Sequence, residues 1–134
     1  MHTPESSGDC LALVASAADL CIKPWKHAVL KKKSFKEDPN SYDNIFDMTL
    51  IIKCRDSEGD RHPENDLEIE IFQSGKDINL MVSWLDQPDR PILWHGKHSV
   101  WLDGISGKRC KAPLEGAVIE AFARRLKAFF PQEV

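Results

Sequence analysis

The chain predicts an α+β fold, an antiparallel β-meander of four or five strands packed by an N-terminal and a C-terminal helix. Three observations carry this reading. Leu67, Ile69 and Ile71 alternate with Glu68 and Glu70, and the alternation resumes at Ile78, Leu80, Val82 and Trp84, the period of two that marks a strand laid on a core. Gly75-Lys76 and Gly96-Lys97 stand where a two-residue type II′ hairpin turn needs glycine first. Apolar stretches of helical period flank the strand region on both sides.

In chain order, the spacing predicts a helix over about 10–22, opened by Pro4, Glu5 and Asp9 and ended by Pro24. Leu11, Val14, Ala15, Ala18, Cys21 and Ile22 form one apolar face, and Leu13, Ala17 and Leu20 a second, so this helix is expected to be covered on more than one side. Trp25–Phe35 reads as a basic edge strand, with a helical extension as the alternative; lysines on an edge oppose strand-to-strand aggregation. Residues 37–44 have loop composition. Met48, Leu50, Ile52 and Cys54 alternate with more polar neighbours and give the next strand, whose Lys53 and Arg55 are expected to face Glu68 and Glu70 across the pair.

If Gly75-Lys76 is the turn, Ile71 faces Leu80, Ile69 faces Val82 and Leu67 faces Trp84, so every apolar residue meets another. The same reasoning at Gly96-Lys97 sets His95 opposite His98, Trp94 opposite Ser99 and Ile92 opposite Trp101. Pro113 opens a last helix over about 113–130, with Leu114, Val118, Ala121, Phe122, Leu126 and Phe129 as its apolar stripe.

At 134 residues, 42% hydrophobic and 29% charged, the sequence fits one globular domain spanning 1–134 and neither a disordered nor a membrane class. A net charge of -3 disfavours a general nucleic-acid binder. The charge is unevenly placed, +6 over residues 23–36 and -9 over 37–103, which suggests basic edges lying beside an acidic sheet. Cys10, Cys21, Cys54 and Cys110 form no C-x-x-C pair and read as reduced thiols, and a zinc site of Cys54, Cys110 and a histidine lacks the spacing. Leu11–Ile22 is preceded by acids rather than Lys or Arg, is interrupted by Asp19 and is too short to span a bilayer, so a cytoplasmic location is expected.

No phosphate-cradling or nucleophile-elbow motif is present, and no catalytic residue, metal ligand or cofactor is nominated. An EF-hand loop starting at Asp56 would need glycine sixth and glutamate twelfth, where Arg61 and Leu67 stand. Three binding candidates emerge. Trp94 and Trp101 are expected to share a sheet face with Phe72 and Met81, rimmed by Glu68, Glu70 and Asp103, a face for a ligand, a protein partner or a second copy. His95 and His98, opposed beside a turn, offer two positions of a metal or acid–base site. Arg125 falls inside the predicted apolar stripe, where its guanidinium needs a carboxylate such as Asp103 or a bound anion. The leading expectation is a small binding or interaction protein without catalysis, acting through the mixed face. An enzyme or metal-dependent site at the His95/His98 hairpin is the alternative, and nucleic-acid binding through Lys23–Lys36 ranks below it.

Overall fold

The computed structural model describes residues 7–34, 45–74 and 77–129. The chain runs α1 (Ser7–Cys21), β1 (Lys26–Ser34), β2 (Ile45–Arg55), β3 (Leu67–Ser74), β4 (Asp77–Trp84), β5 (Ile92–His95), β6 (Ser99–Leu102) and α2 (Gly116–Lys127). A single 3₁₀ turn, Pro63–Asn65, leads into β3. The strands form one antiparallel sheet in sequence order, β1 to β6. Six strands replace the expected four or five because Lys26–Ser34 of the basic segment does supply a strand and the Ile92–Leu102 stretch makes two short ones. Among the described residues no helix is long and apolar enough to cross a membrane.

Alternation decides what faces what. Leu50 and Ile52 of β2, Ile69 and Ile71 of β3, Leu80 and Val82 of β4 and Leu93 of β5 are fully buried on one side of the sheet. Cys10, Val14, Ala17 and Ala18 of α1 and Ile119, Phe122, Ala123 and Leu126 of α2 complete that core. The first helix lies against β1 and α2, and the second against β4 and β5. Both helices therefore cover the same face. The predicted β3–β4 register is the observed one, with Leu67 opposite Trp84, Ile69 opposite Val82 and Ile71 opposite Leu80. The turn at Gly75-Lys76 lies outside the described residues.

The β5–β6 hairpin is shifted by one residue from the expected register. His95 pairs with Ser99, Trp94 with Val100, Leu93 with Trp101 and Ile92 with Leu102, so the loop holds three residues, Gly96, Lys97 and His98, not two. A slip of one residue sends each side chain to the opposite face. Trp101 consequently enters the helix-covered core at 5% exposure, while Trp94 stays on the open side.

A second correction concerns α2. At about 100° per residue its buried stripe is centred near Ile119, and Arg125 falls about a third of a turn away, exposed to solvent. The expected stripe leaned on Leu114, which precedes the helix and is fully exposed, and on Val118, which is 41% exposed. Nor does Asp103 await a guanidinium, because its Oδ1 accepts the backbone N–H groups of Ile105 (2.9 Å) and Ser106 (2.8 Å).

Both sheet edges are protected. On β1, Lys26, Lys31 and Lys32 are exposed. Beyond β6 the chain folds back, Leu102 bridging to Arg109 and the Cys110 N–H donating to the Trp101 carbonyl at 2.9 Å.

Phe122, with no exposed surface, should lose about 3–5 kcal/mol of stability on truncation to alanine. Arg125→Ala should change stability by less than about 0.5 kcal/mol. Urea unfolding of the two variants tests the phase of α2, and comparable losses would refute it.

Candidate functional site

Among the described residues, no helix packs on the face opposite α1 and α2. Its side chains fall in rows across the strands. One row runs Ile51, Glu68 and Ser83, with Leu30 on β1 beside Ile51. The next runs Thr49, Glu70, Met81, Trp94 and Val100. One pleat further, Phe72 lies between Asp47 and Asn79. The face is thus acidic along β3, with aliphatic Leu30 and Ile51 to one side and Met81, Trp94 and Val100 to the other. Lys32, Thr49, Glu68, Glu70, Met81 and Ser83 line a shallow hollow of about 380 Å³ at its centre. Lys32 forms an ion pair with Glu68 across it, a half-exposed pairing that contributes under about 1 kcal/mol and yields readily to a competing charge.

The structure brings Phe72, Met81 and Trp94 together and separates the other sequence-predicted site residues from them. Trp101 lies on the covered side, where its Nε1–H donates to Glu120 Oε1 at 2.6 Å and its ring stacks on Trp84 at 6.4 Å between centroids. Arg125 points away from the sheet. His98 is exposed in the hairpin loop, whereas His95 is buried on the helix side, so the two imidazoles are not cross-strand partners. Among the described residues no three His, Cys, Asp or Glu side chains gather as a metal-holding group. Asp56 instead organises its own loop, accepting from the N–H groups of Glu58 (2.9 Å) and Asp60 (3.0 Å) and meeting His62 Nε2 at 2.8 Å.

Nor do Lys53 and Arg55 face the β3 acids as expected. The β2–β3 register sets Glu68 opposite Ile51 and Glu70 opposite Thr49, and it is Lys32 of β1 that reaches Glu68. The basic segment is also divided by the pleat. Lys26 and Lys32 stand on the open side and Lys31 on the other. Trp25, the expected stacking partner of a base, is half-buried edge-on against His62, with 4.8 Å between ring centroids. Among the described residues, that arrangement does not build a continuous nucleic-acid groove.

What sequence reasoning missed is a pairing on the covered side. His27 and Cys54 are direct cross-strand partners, and His27 is held by Asp19, which accepts from its backbone N–H at 2.7 Å and meets Nδ1 at 3.0 Å. Each lies in a separate segment, and only the register of β1 on β2 unites them. Burial first, and then the charge of Asp66, push the Cys54 thiol up to about 11, so it stays protonated at neutral pH. All four cysteines are free.

His95 has a pH consequence. It is 7% exposed, and its Nδ1 has no hydrogen-bond partner among the described residues. Burial, then Lys127 and Arg124 of α2, push the imidazole below its ordinary range, with Glu120 acting the other way. The unfolded chain binds that proton near pH 6.5 and the folded chain only at lower pH, so stability is full above about 6.5 and falls as pH drops toward the folded value. His62 has the opposite sign, because hydrogen bonds to Asp56 and Glu64 raise it, and its contribution is lost as pH rises through the folded value. In a His62→Gln background, His95→Phe should flatten the loss of stability between about pH 7 and pH 5.5 measured by urea unfolding. An unchanged slope would show that His95 is not the titrating group.

The sequence profile of a family described as a domain of unknown function, DUF8659, matches residues 11–129, the stretch from α1 to the end of α2. No curated protein and no solved structure matches. The chain belongs to the DUF8659 family.

Proposed function

We propose that this protein is a small binding module of the reducing cytoplasm, without catalysis of its own, that docks a partner protein on the open face of its sheet. The observation that carries this reading is the one-sided cover. Both helices pack on one face, leaving the other with Trp94, Met81 and Phe72 half-buried beside Glu68 and Glu70. Single exposed apolar residues are ordinary, but an aromatic and aliphatic group adjoining a charged hollow is the composition of an interaction patch. Four free thiols are consistent with a reducing compartment.

The chemistry of the face selects the partner. Two carboxylates from alternate positions of β3 stand between apolar flanks, and the ion pair across them is half-exposed and displaceable. A cationic amphipathic segment fits this pattern. Its arginine would fork onto Glu68 or Glu70 while its apolar side chains, and the guanidinium plane itself, cover Met81 and Trp94. A half-buried tryptophan beside a charged hollow is of the residue type that most often anchors a protein interface.

A short peptide alternating arginine with leucine should give a saturable change in tryptophan emission, accompanied by light scattering of the free protein. Trp94→Ala should weaken that binding by about tenfold or more, and Glu70→Gln by about fivefold. The corresponding glutamate–leucine peptide should not bind. Equal response to both peptides, or none, would refute the proposal. A dimer that protects Trp94 from quenching would assign the face to self-association instead.

A further inference from the structure

The two most exposed large apolar side chains among the described residues, Ile105 at 83% and Leu114 at 103%, belong to the connection between β6 and α2. Between them stand Lys108, Arg109 and Lys111, all exposed, and the chain has no acidic residue from Gly104 to Leu114. Among the described residues no carboxylate pairs with any of these three cations. The connection is tightly built. Besides the two amides held by its side chain, Asp103 accepts the Gly107 N–H at its carbonyl (2.9 Å) and donates its own N–H to the Lys108 carbonyl (2.7 Å). Gly107 closes the turn at a φ of +72°. Gly104 is seated on the carbonyls of Pro88 and Arg90, where a Cβ would come within 2.4 and 2.5 Å. Ile105 is thereby held away from the core. Arg90 gathers both ends of the connection at one corner of the molecule, its carbonyl under Gly104 and its guanidinium paired with Glu115, next to Leu114, at 2.8 Å. That guanidinium is itself fixed over the Trp84 ring, 3.7 Å from its centroid. Of the carboxylates nearest the corner, Asp103 is turned on its loop amides and Glu115 on Arg90, which leaves exposed Asp89 against three cations.

We infer that this corner docks on a bilayer surface rich in anionic lipid, Ile105 and Leu114 entering the interface and Lys108, Arg109 and Lys111 lying among the headgroups. Two separate apolar tips select a fluid partner. A folded protein must offer a pocket for each tip at a fixed spacing, whereas lipid closes around both. Nucleic acid would use the cations but leave the two tips in water, and the connection has no aromatic residue to stack on a base. Cations near an anionic leaflet add an attraction that so small an apolar area lacks, and two weak signals together give reversible attachment. The lysines of β1 supply charge without an equal tip, since Leu30 is 47% exposed and Lys32 is engaged with Glu68. None of the corner residues lines the open-face hollow, so the two surfaces can act independently.

Flotation of the full chain with lipid vesicles tests the inference. Vesicles of phosphatidylcholine with about a third phosphatidylserine should carry the protein at low salt, and pure phosphatidylcholine should bind it about tenfold more weakly or less. Lys108→Gln, Arg109→Gln and Lys111→Gln should each weaken binding about fivefold. The double variant Ile105→Ser/Leu114→Ser, changed only at exposed positions, should lose about tenfold or more with its circular dichroism unaltered. In Ile105→Trp, the added indole should shift its emission to the blue on the anionic vesicles and stay unshifted with soluble phosphoserine. Lys26→Gln/Lys31→Gln on β1 should change binding by less than about twofold. No binding at low salt, undiminished binding of the serine double variant, a blue shift with soluble phosphoserine, or loss of binding through the β1 variant would each overturn it.

Discussion

The carboxylate of Asp66 is the buried charge at which the ends of β2 and β3 are joined. Only 2% exposed, it accepts the Cys54 N–H at 2.7 Å and two guanidinium N–H groups of Arg61 at 3.0 and 2.6 Å. Arg61 in turn donates to the Cys54 carbonyl at 2.7 Å, and the Asp66 carbonyl accepts from the Leu85 N–H at 3.0 Å. The end of β2, the connection after it, the start of β3 and the turn beyond β4 therefore meet at one residue. A buried carboxylate is costly unless paired and fully hydrogen-bonded, and here the bidentate guanidinium and a backbone N–H meet that condition. Removing the charge would leave Arg61 unmatched and both strand ends untied.

With that join fixed, sidedness follows. The β2–β3 register places Ile52 opposite Leu67, and the period of two then commits Leu50, Ile69 and Ile71 to the helices and Glu68 and Glu70 to the open face. A sheet face on which neither helix packs must carry side chains that tolerate both water and contact. Thr49, Ser83, Glu68 and Glu70 meet the first demand and Met81, Trp94 and Val100 the second. The face is thus built for a partner that is itself part polar and part apolar, and a purely apolar partner would strand the β3 acids without solvent.

How much of this was legible in the sequence depends on how much the residues disagree between faces. In β3 and β4, glutamate, asparagine and serine alternate with isoleucine, leucine and valine, so a wrong register would bury charge, and the reading was correct. In β6, Val100, Trp101 and Leu102 are consecutive apolar residues, and alternation gives no preference. The loop length then decides, and a three-residue connection in place of two was enough to move Trp101 from the expected binding face into the core. In α2 the apolar residues Leu114 and Val118 extend the stripe in the wrong direction, because Leu114 precedes the helix. Of the expected site, Phe72, Met81 and Trp94 stayed together, Phe72 and Met81 because polar side chains share their face on β3 and β4, and Trp94 because the one-residue slip falls on β6 and leaves β5 in phase with β4. His95, His98, Trp101 and Arg125 were misplaced by these two phase errors. The grouping of Asp19, His27 and Cys54 was illegible for a different reason, since its members come from separate segments whose meeting depends on long-range pairing.

Asp19, His27 and Cys54 are the residue types of a cysteine-dependent catalytic triad, and their placement invites that reading. His27 is oriented through Nδ1 by a carboxylate, and Cys54 is its direct partner across the strands. The thiol argues against it. A nucleophilic cysteine sits where cations or a helix terminus lower its pKa, whereas Cys54 is 1% exposed and is pushed up to about 11. The second largest cause of that shift is Asp66, the same carboxylate that binds the Cys54 backbone and closes the β2–β3 connection. Arg61 offsets it only in part. The group that secures the strand ends therefore also keeps the neighbouring sulfur protonated, and the two effects cannot be separated while Asp66 accepts from Cys54. Cys54 serves this fold as a buried, protonated side chain at the strand end, where its backbone is held by Asp66 and Arg61.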